Sequence, residues 1–412
     1  MSGGLPAGKR SRAPLSAEYQ ILTYRRALRD DVLPLFRMQG AQGLDRATAE
    51  AVWRWKYEEN PYLREPLALV AADVSGSLIG MLGIYGSMWQ SGDPRNRVVV
   101  PCPADAYVAS PHRRRGVYQR LFAQALALAR EQGYDYVFSL NSSKETYLCN
   151  VQLGARSLGY RLPSMHWRGP GVSANDRGFA VRITPRRMLD FARKRFLSAT
   201  ARTPALQRVV RSAYRRSFPA KAGGPFKLLD AGAAAGELNG TGIEATAAPR
   251  PEAMAALVER VVHDGRIRHV KDGEYLSWRF RRPGARYRFL FLGGDDLEGY
   301  AVLSPRGGRI SVVDWEVVHP DLLADLLRSA IGLGRFPVLS VHWVGPSGPT
   351  IDALERIGFM AEDAEATVSG ESPFTVEVNV LRKSPHVTWM LGESNLLDPL
   401  DWDLRPLYAD GQ

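Results

Sequence analysis

Two stretches of this chain read alike at a distance of 223 residues. Trp53-Arg-Trp-Lys-Tyr-Glu-Glu-Asn-Pro61 recurs in outline as Tyr275-Leu-Ser-Trp-Arg-Phe-Arg-Arg-Pro283, which sets Trp55 against Trp278. Each copy is followed by two apolar runs joined by a short Asp/Gly/Ser turn: Leu67–Ala72 then Leu78–Gly83, and Tyr287–Leu292 then Leu297–Val302. Such pairs predict β-hairpins. Solenoid repeats are about 20–50 residues long, so a period this long predicts duplication of a whole domain. The chain has 412 residues, enough for two or three cores.

The elements around the two copies fall in the same order. The first half reads as a strand over Tyr19–Tyr24 and a helix over Asp30–Gln39, with Val32, Leu33, Leu35 and Phe36 apolar. The hairpin follows, then a strand near Val98–Val108. A helix after Gly116 carries Leu121, Phe122, Ala125, Leu126 and Leu128 as a 3.6-residue stripe and stops at Gly133. A strand over Tyr136–Leu140, a short helix over Lys144–Gln152 and a strand past Gly154 complete it. The second half gives helices near Glu252–Val262 and Leu322–Leu333 and strands near Arg309–Val313 and Pro337–His342. A short helix over Ile351–Ile357 then precedes Gly358-Phe359. Between the halves, Ala180–Phe218 reads as a basic helix, and Pro219–Thr246, rich in Gly and Ala, as loop.

The chemistry concentrates in Tyr107-Val-Ala-Ser-Pro-His-Arg-Arg-Arg-Gly-Val-Tyr-Gln-Arg-Leu-Phe122, a strand, a tight basic turn and a helix start. That order aims backbone N–H groups and a helix dipole at one spot, which suits a pyrophosphate. A solvated basic turn without a ligand is the competing reading. The corresponding stretch of the second half, Val312–Asp321, has no basic glycine turn.

Arg113-Arg-Arg-Gly-Val-Tyr118 fits most of the Arg/Gln-x-x-Gly-x-Gly/Ala signature of the GNAT superfamily of N-acetyltransferases. The element order and the Trp-x-Trp-Lys-Tyr-x-x-Asn-Pro element also resemble that family, in bacterial members that accompany polysaccharide or natural-product pathways. The resemblance implies an α/β fold of the α+β type: two tandem GNAT-like domains, each a mixed, mostly antiparallel sheet flanked by helices. It covers roughly 18–168, a CoA-binding domain, and 240–385, a degenerate mate that walls the acceptor pocket. A disordered tail (1–17), a basic connector (169–239) and a C-terminal tail (386–412) make up the remainder.

The resemblance also implies acetyl-CoA or another acyl-CoA as co-substrate. Free backbone groups of Tyr107, Val108 and Ala109 would pair with its pantetheine. Amides from Arg114 to Gln119, Val117 and Tyr118 among them, would face its pyrophosphate, with Arg113, Arg114 or Arg115 adding charge and Gly116 permitting close approach. Tyr118 stands where the family has Gly or Ala, so its ring must point away. Asn141, ending a strand, could bond the acyl or pantetheine end, or cap the next helix. Asp105 could act as general base or be a turn residue after Pro103. The family's thiolate-protonating Tyr position is Asn150 here. Tyr147, one helical turn earlier, could substitute or simply pack.

Composition narrows the setting. The net charge is +11, and Val181–Lys227 alone, with thirteen Lys or Arg and one acid, Asp190, exceeds it. That segment is a linker across the halves, a face for an anionic membrane, or a dock for an acidic partner such as an acyl carrier protein or RNA. Only two cysteines occur, Cys102 and Cys149, which argues against a disulfide scaffold and for a cytoplasmic home. No spanning segment and no metal-ligand cluster among the histidines are read. The expectation is a cytoplasmic acyltransferase, acetyl the favoured group, acting on a primary amine of an amino sugar or specialised metabolite. The alternatives are an aminoacyl-tRNA- or carrier-protein-dependent transferase of the duplicated type, and a ligand-binding module without turnover.

Overall fold

The structure, a computed structural model, describes residues 19–406 except 40, 64, 94–95, 141, 159–163, 169–235, 238–240, 262–263, 307–308, 334–337, 344, 346, 362–375 and 382–387. The expected tail 1–17 and nearly all of the connector, 169–235 included, lie outside the described residues.

Four strands open the first sheet: β1 (Tyr19–Thr23), β2 (Leu69–Asp73), β3 (Leu78–Ser91) and β4 (Arg97–Val108), each antiparallel to the next. Helices α1 (Arg29–Gln39) and α2 (Arg46–Trp53) bridge β1 and β2. Asp45 caps α2, its carboxylate accepting from the Thr48 amide at 2.9 Å. A π-helical turn, Arg54–Glu58, continues α2 through a bond from the Glu59 amide to the Arg54 carbonyl at 2.8 Å. Trp55, Lys56 and Tyr57 are all buried there. In a regular helix three consecutive side chains sweep about 200°, and the wider turn lets all three face inward.

Next come α3 (Val117–Glu131), β5 (Tyr136–Ser139), α4 (Lys144–Gln152), β6 (Arg156–Ser157) and β7 (Ser164–Arg168). Helix α3 buries Val117, Leu121, Phe122, Ala125 and Ala129 along one stripe. It stops at Gly133, whose φ of 90° only glycine adopts without strain. The second half repeats the order. It comprises β8 (Gly236–Glu237), β9 (Ile243–Thr246), α5 (Pro251–Arg260), β10 (Ile267–His269), α6 (Gly273–Phe280), β11 (Arg288–Leu292), β12 (Gly299–Arg306), β13 (Arg309–Val317), α7 (Pro320–Leu333), β14 (Val338–His342), α8 (Gly348–Glu355), β15 (Met360–Ala361) and β16 (Glu377–Val380). The stretch expected as loop, Pro219–Thr246, thus contains β8 and β9. Glycine-rich flanks hide a strand whose residues are mostly buried against β11.

The result is an α+β fold of mostly antiparallel sheets flanked by helices, as expected. The halves are not self-contained, however. Strand β16 lies between β5 and β6 of the first half, pairing Glu377 with both Ser139 and Ser157. Strand β7 lies between β14 and β15 of the second, pairing His166 with both Ser340 and Met360. Each half supplies the strand that closes the other's sheet.

The seam is built from the repeated motif itself. The rings of Trp55 and Trp278 stack 4.7 Å apart with an interplanar angle of 9°. Each indole N–H donates to the other residue's backbone carbonyl at 2.7 Å. Such reciprocity is the mark of a local twofold relation between the copies. Strand β10 joins the first sheet beside β3, and β17 (Trp402–Asp403) adds to β10. Trp402, within the expected C-terminal tail, is fully buried against Trp89 and Phe138, with ring centroids 5.4 Å from each. Burying an indole is strongly favourable, so that segment completes the core. Among the described residues no helix is long and apolar enough to cross a membrane.

Candidate functional site

Strand β4 pairs with β3 from Arg97 to Val108. Its other neighbour is β5, whose ladder runs to β16. Among the described residues no backbone ladder joins β4 to β5, although the two strands are neighbours. Near its end β4 bulges. Ala104 faces Gly83 and Tyr107 faces Met81, leaving Asp105 and Ala106 to share Leu82. Asp105 sits at φ 51°, a left-handed conformation that non-glycine residues rarely hold.

The basic turn joins the end of β4 to the start of α3. Arg113, Arg114 and Arg115 are exposed. Arg114 has φ 61° and Gly116 φ 76°, two left-handed residues that fold the chain back to start α3. A Cβ on Gly116 would meet only open space, so backbone conformation selects glycine there. The first intrahelical bond runs from the Arg120 amide to the Gly116 carbonyl at 3.0 Å. The amides of Val117, Tyr118 and Gln119 therefore begin the helix without intrahelical acceptors. Gln119 is exposed, and the side chain of Val117 is buried.

Two expected backbone partners are engaged. The Val108 carbonyl accepts from Arg113 Nε at 2.8 Å, and the Arg113 guanidinium lies 5.7 Å over the Tyr107 ring. The Ala109 amide donates to the Ile79 carbonyl at 2.8 Å. Arg113 folds back on the strand that precedes it, and Ala109 prolongs the pairing with β3. Asn141 lies outside the described residues.

Asp105 is not an unattended carboxylate. Its Oδ2 accepts from Lys56 Nζ and from the Tyr57 hydroxyl at 2.6 Å. The Lys56 ammonium also lies 5.0 Å from the Tyr57 ring centre and 5.8 Å from that of Tyr85. Burial pulls the Lys56 pKa down to about 8, against the pull of the Asp105 charge. Burial and the Asp105 charge push the Tyr57 phenol well up. The lone general base expected at Asp105 is thus one half of a largely buried ion pair, because the π-helical turn delivers Lys56 to it.

A second cluster joins α3, α4 and β16. Tyr118 turns its ring away from the basic turn and stacks on Phe122, centroids 6.0 Å apart. Its hydroxyl donates to Asn150 Oδ1 at 2.7 Å. Asn150 Nδ2 donates to Glu377 Oε2 at 2.6 Å, with Ser142 Oγ at 3.2 Å and Ser139 Oγ at 3.5 Å. The Ser142 hydroxyl donates to the same Glu377 oxygen at 2.8 Å. Tyr147 is half-buried one turn before Asn150, and the Cys149 thiol is pushed up by burial.

Residues 29–151, from α1 to α4, match the model of the acetyltransferase (GNAT) family. This part of the chain belongs to the GNAT family. The family takes its acyl group from acetyl-CoA or another acyl-CoA, which sets the co-substrate of the domain. Three solved structures resemble the whole fold. A conserved Enterococcus faecalis protein, named a probable N-acyltransferase, is 10% identical with a TM-score of 0.54, over 88% of this chain and 73% of its own. GCN5-related N-acetyltransferases from Kribbella flavida (15%, TM-score 0.52, 89% and 72%) and Anabaena variabilis (11%, TM-score 0.52, 88% and 73%) are similar. At such identities the likeness concerns the fold. No curated protein matches the chain closely enough to carry a function across.

Outside the GNAT domain, the same place on the second sheet is filled. Strand β13 pairs with β14 through Ile310, Ser311 and Val312. Beyond them the Trp315 carbonyl accepts from Arg405 Nη1 and from Lys271 Nζ at 3.2 Å. Lys271 also meets Asp314 at 3.0 Å and Glu316 at 2.9 Å. Trp315 packs edge-on to Trp343, centroids 5.8 Å apart, under the Arg405 guanidinium. It is a core residue. Among the described residues no three His, Cys, Asp or Glu side chains converge as a metal site.

Lys56 and Glu377 were missed from the sequence. A signal existed for Lys56, a charge inside a repeated aromatic run. None existed for Glu377, which reaches Asn150 from 227 residues away.

Proposed function

We propose that this protein is an acyl-CoA-dependent N-acyltransferase, acetyl being the favoured group, whose acceptor is a primary amine of a small molecule such as an amino sugar or specialised metabolite. The observation that carries the reading is the left-handed basic turn opening α3 directly after β4, a strand with no ladder to its neighbour β5. The turn would bind the pyrophosphate of CoA through the amides of Val117–Gln119 and the charges of Arg113–Arg115. The pantetheine would run beside Tyr107, displacing Arg113 from the Val108 carbonyl. The Asp105–Lys56 pair, facing the bulge, would receive the acceptor's ammonium and its proton. Tyr147 and the Tyr118 cluster would flank the thioester.

Calorimetric titration of acetyl-CoA, longer acyl-CoAs and CoA into wild type and Gly116→Glu tests this. Wild type is expected to bind, and Gly116→Glu to bind at least about tenfold more weakly. The substitution strains a φ of 76° and sets a negative charge against phosphates. Equal binding by both proteins removes the turn from the site. A panel of primary amines, read by release of free CoA thiol, then finds the acceptor.

A further inference from the structure

We propose that Arg113 selects the acyl donor: its guanidinium covers the unladdered edge of β4, and a diphosphate is what draws it off. The inference rests on the reading of the basic turn as the diphosphate site of CoA. It makes the donor a pantetheine arm borne on a nucleotide, and disfavours the same arm without one.

The backbone defines the edge. The Ala109 amide donates to the Ile79 carbonyl at 2.8 Å, so residue 109 points its peptide groups at β3. Successive residues of a strand alternate in this respect. The amide and carbonyl of Val108 therefore point the opposite way, toward β5, to which β4 has no ladder among the described residues. The chain then turns through the 3₁₀ segment Ser110–His112 and returns beside the strand it has left. There Arg113 Nε donates to the Val108 carbonyl at 2.8 Å, and the guanidinium lies 5.7 Å from the centre of the Tyr107 ring. Arg113 thus stands where a neighbouring strand would stand.

An amide-bearing arm that pairs with this edge needs the same carbonyl, so the arm and Arg113 exclude one another. Without phosphate the exchange favours Arg113, because a charged donor makes a stronger hydrogen bond than a neutral amide. A diphosphate reverses that order. Its charged oxygens are better acceptors for a guanidinium than an uncharged carbonyl is. Arg113 is exposed, so it leaves the carbonyl without giving up buried packing. Phosphate at one end of CoA thereby frees the backbone for the other end, and the two ends bind with positive coupling.

The test divides the donor into its parts. Acetyl-CoA, S-acetylpantetheine and inorganic pyrophosphate are titrated by calorimetry into the full-length protein. Arg113→Ala is expected to bind acetyl-CoA about tenfold more weakly, having lost a charged partner for phosphate, and S-acetylpantetheine about threefold more tightly, having lost a competitor. The opposite signs are the signature. A residue that merely adds charge leaves S-acetylpantetheine binding unchanged in the variant, and one that merely supports the turn weakens both ligands; either result overturns the proposal. In wild type, saturating pyrophosphate is expected to tighten S-acetylpantetheine binding about threefold, and in Arg113→Ala to leave it as it was. Absence of that coupling in wild type also overturns the proposal. Wild type that binds neither acetyl-CoA nor pyrophosphate removes the reading of the turn instead.

Discussion

Lys56 is a cation kept where water hardly reaches it, and its burial has a thermodynamic signature. Its pKa in the folded protein is about 8 against 10.5 for the free side chain. Between those values the unfolded chain binds more protons than the folded one, so stability rises with pH across that window. Below about pH 8 the buried charge is a standing cost. Lys56→Met lacks the group. Measured by urea unfolding at pH 7.5 and 9.5, wild type is therefore expected to gain on the order of 2 kcal/mol relative to Lys56→Met. Parallel pH profiles for the two proteins would mean that Lys56 titrates as if exposed. Loss of transfer in Lys56→Met at unchanged acyl-CoA binding would place the pair on the acceptor side of the reaction. At this scale the sequence was partly readable. The Gly116 turn shows in the arginine-glycine run because φ there is a local matter. The tie of Asp105 to Lys56 spans 49 residues and depends on a π-helical turn and a bulge that no pattern of residue types announces.

Among elements, the helices and hairpins were legible, and the strand exchange was not. Helix α3 runs over Val117–Glu131, where the apolar stripe after Gly116 and the stop at Gly133 place it, because i, i+4 neighbours and a terminating glycine are written in the local sequence. Alternation tells a strand that one face is buried, but not which sheet receives it. Nothing in Glu377–Val380 says that it will lie between β5 and β6. The Trp55–Trp278 contact is the exception, since the repeat that aligns the two residues also brings them together. Trp55→Ala is expected to cost about 3–5 kcal/mol, and Trp278→Ala a similar amount. The double variant should fall short of the sum by roughly 0.5–3 kcal/mol, since each change removes the same contact. Additive losses in denaturant melts would show that the stack does not couple the halves.

For the molecule as a whole, strand exchange makes one cooperative unit of two similar halves. The largest core cluster includes Trp53 and Phe138 from the first half, Tyr275 and Tyr300 from the second, and Trp402 near the end. A single calorimetric unfolding transition is expected. Residues 1–168 expressed alone lack β16, which leaves Asn150 without Glu377 and β5 without its ladder. Neither they nor residues 236–412 should give a soluble folded protein, whereas co-expressed halves should purify together. Two independent transitions, or a well-folded first half alone, would contradict this.

The exchange also sets an order of events during synthesis. Glu377 follows Asn150 by 227 residues. At roughly 5–20 residues per second of translation, β5 and β6 wait about 10–45 seconds for the strand between them, their raw edges open to any passing strand. A nascent chain of this kind should lean on ribosome-associated chaperones until its last tenth emerges.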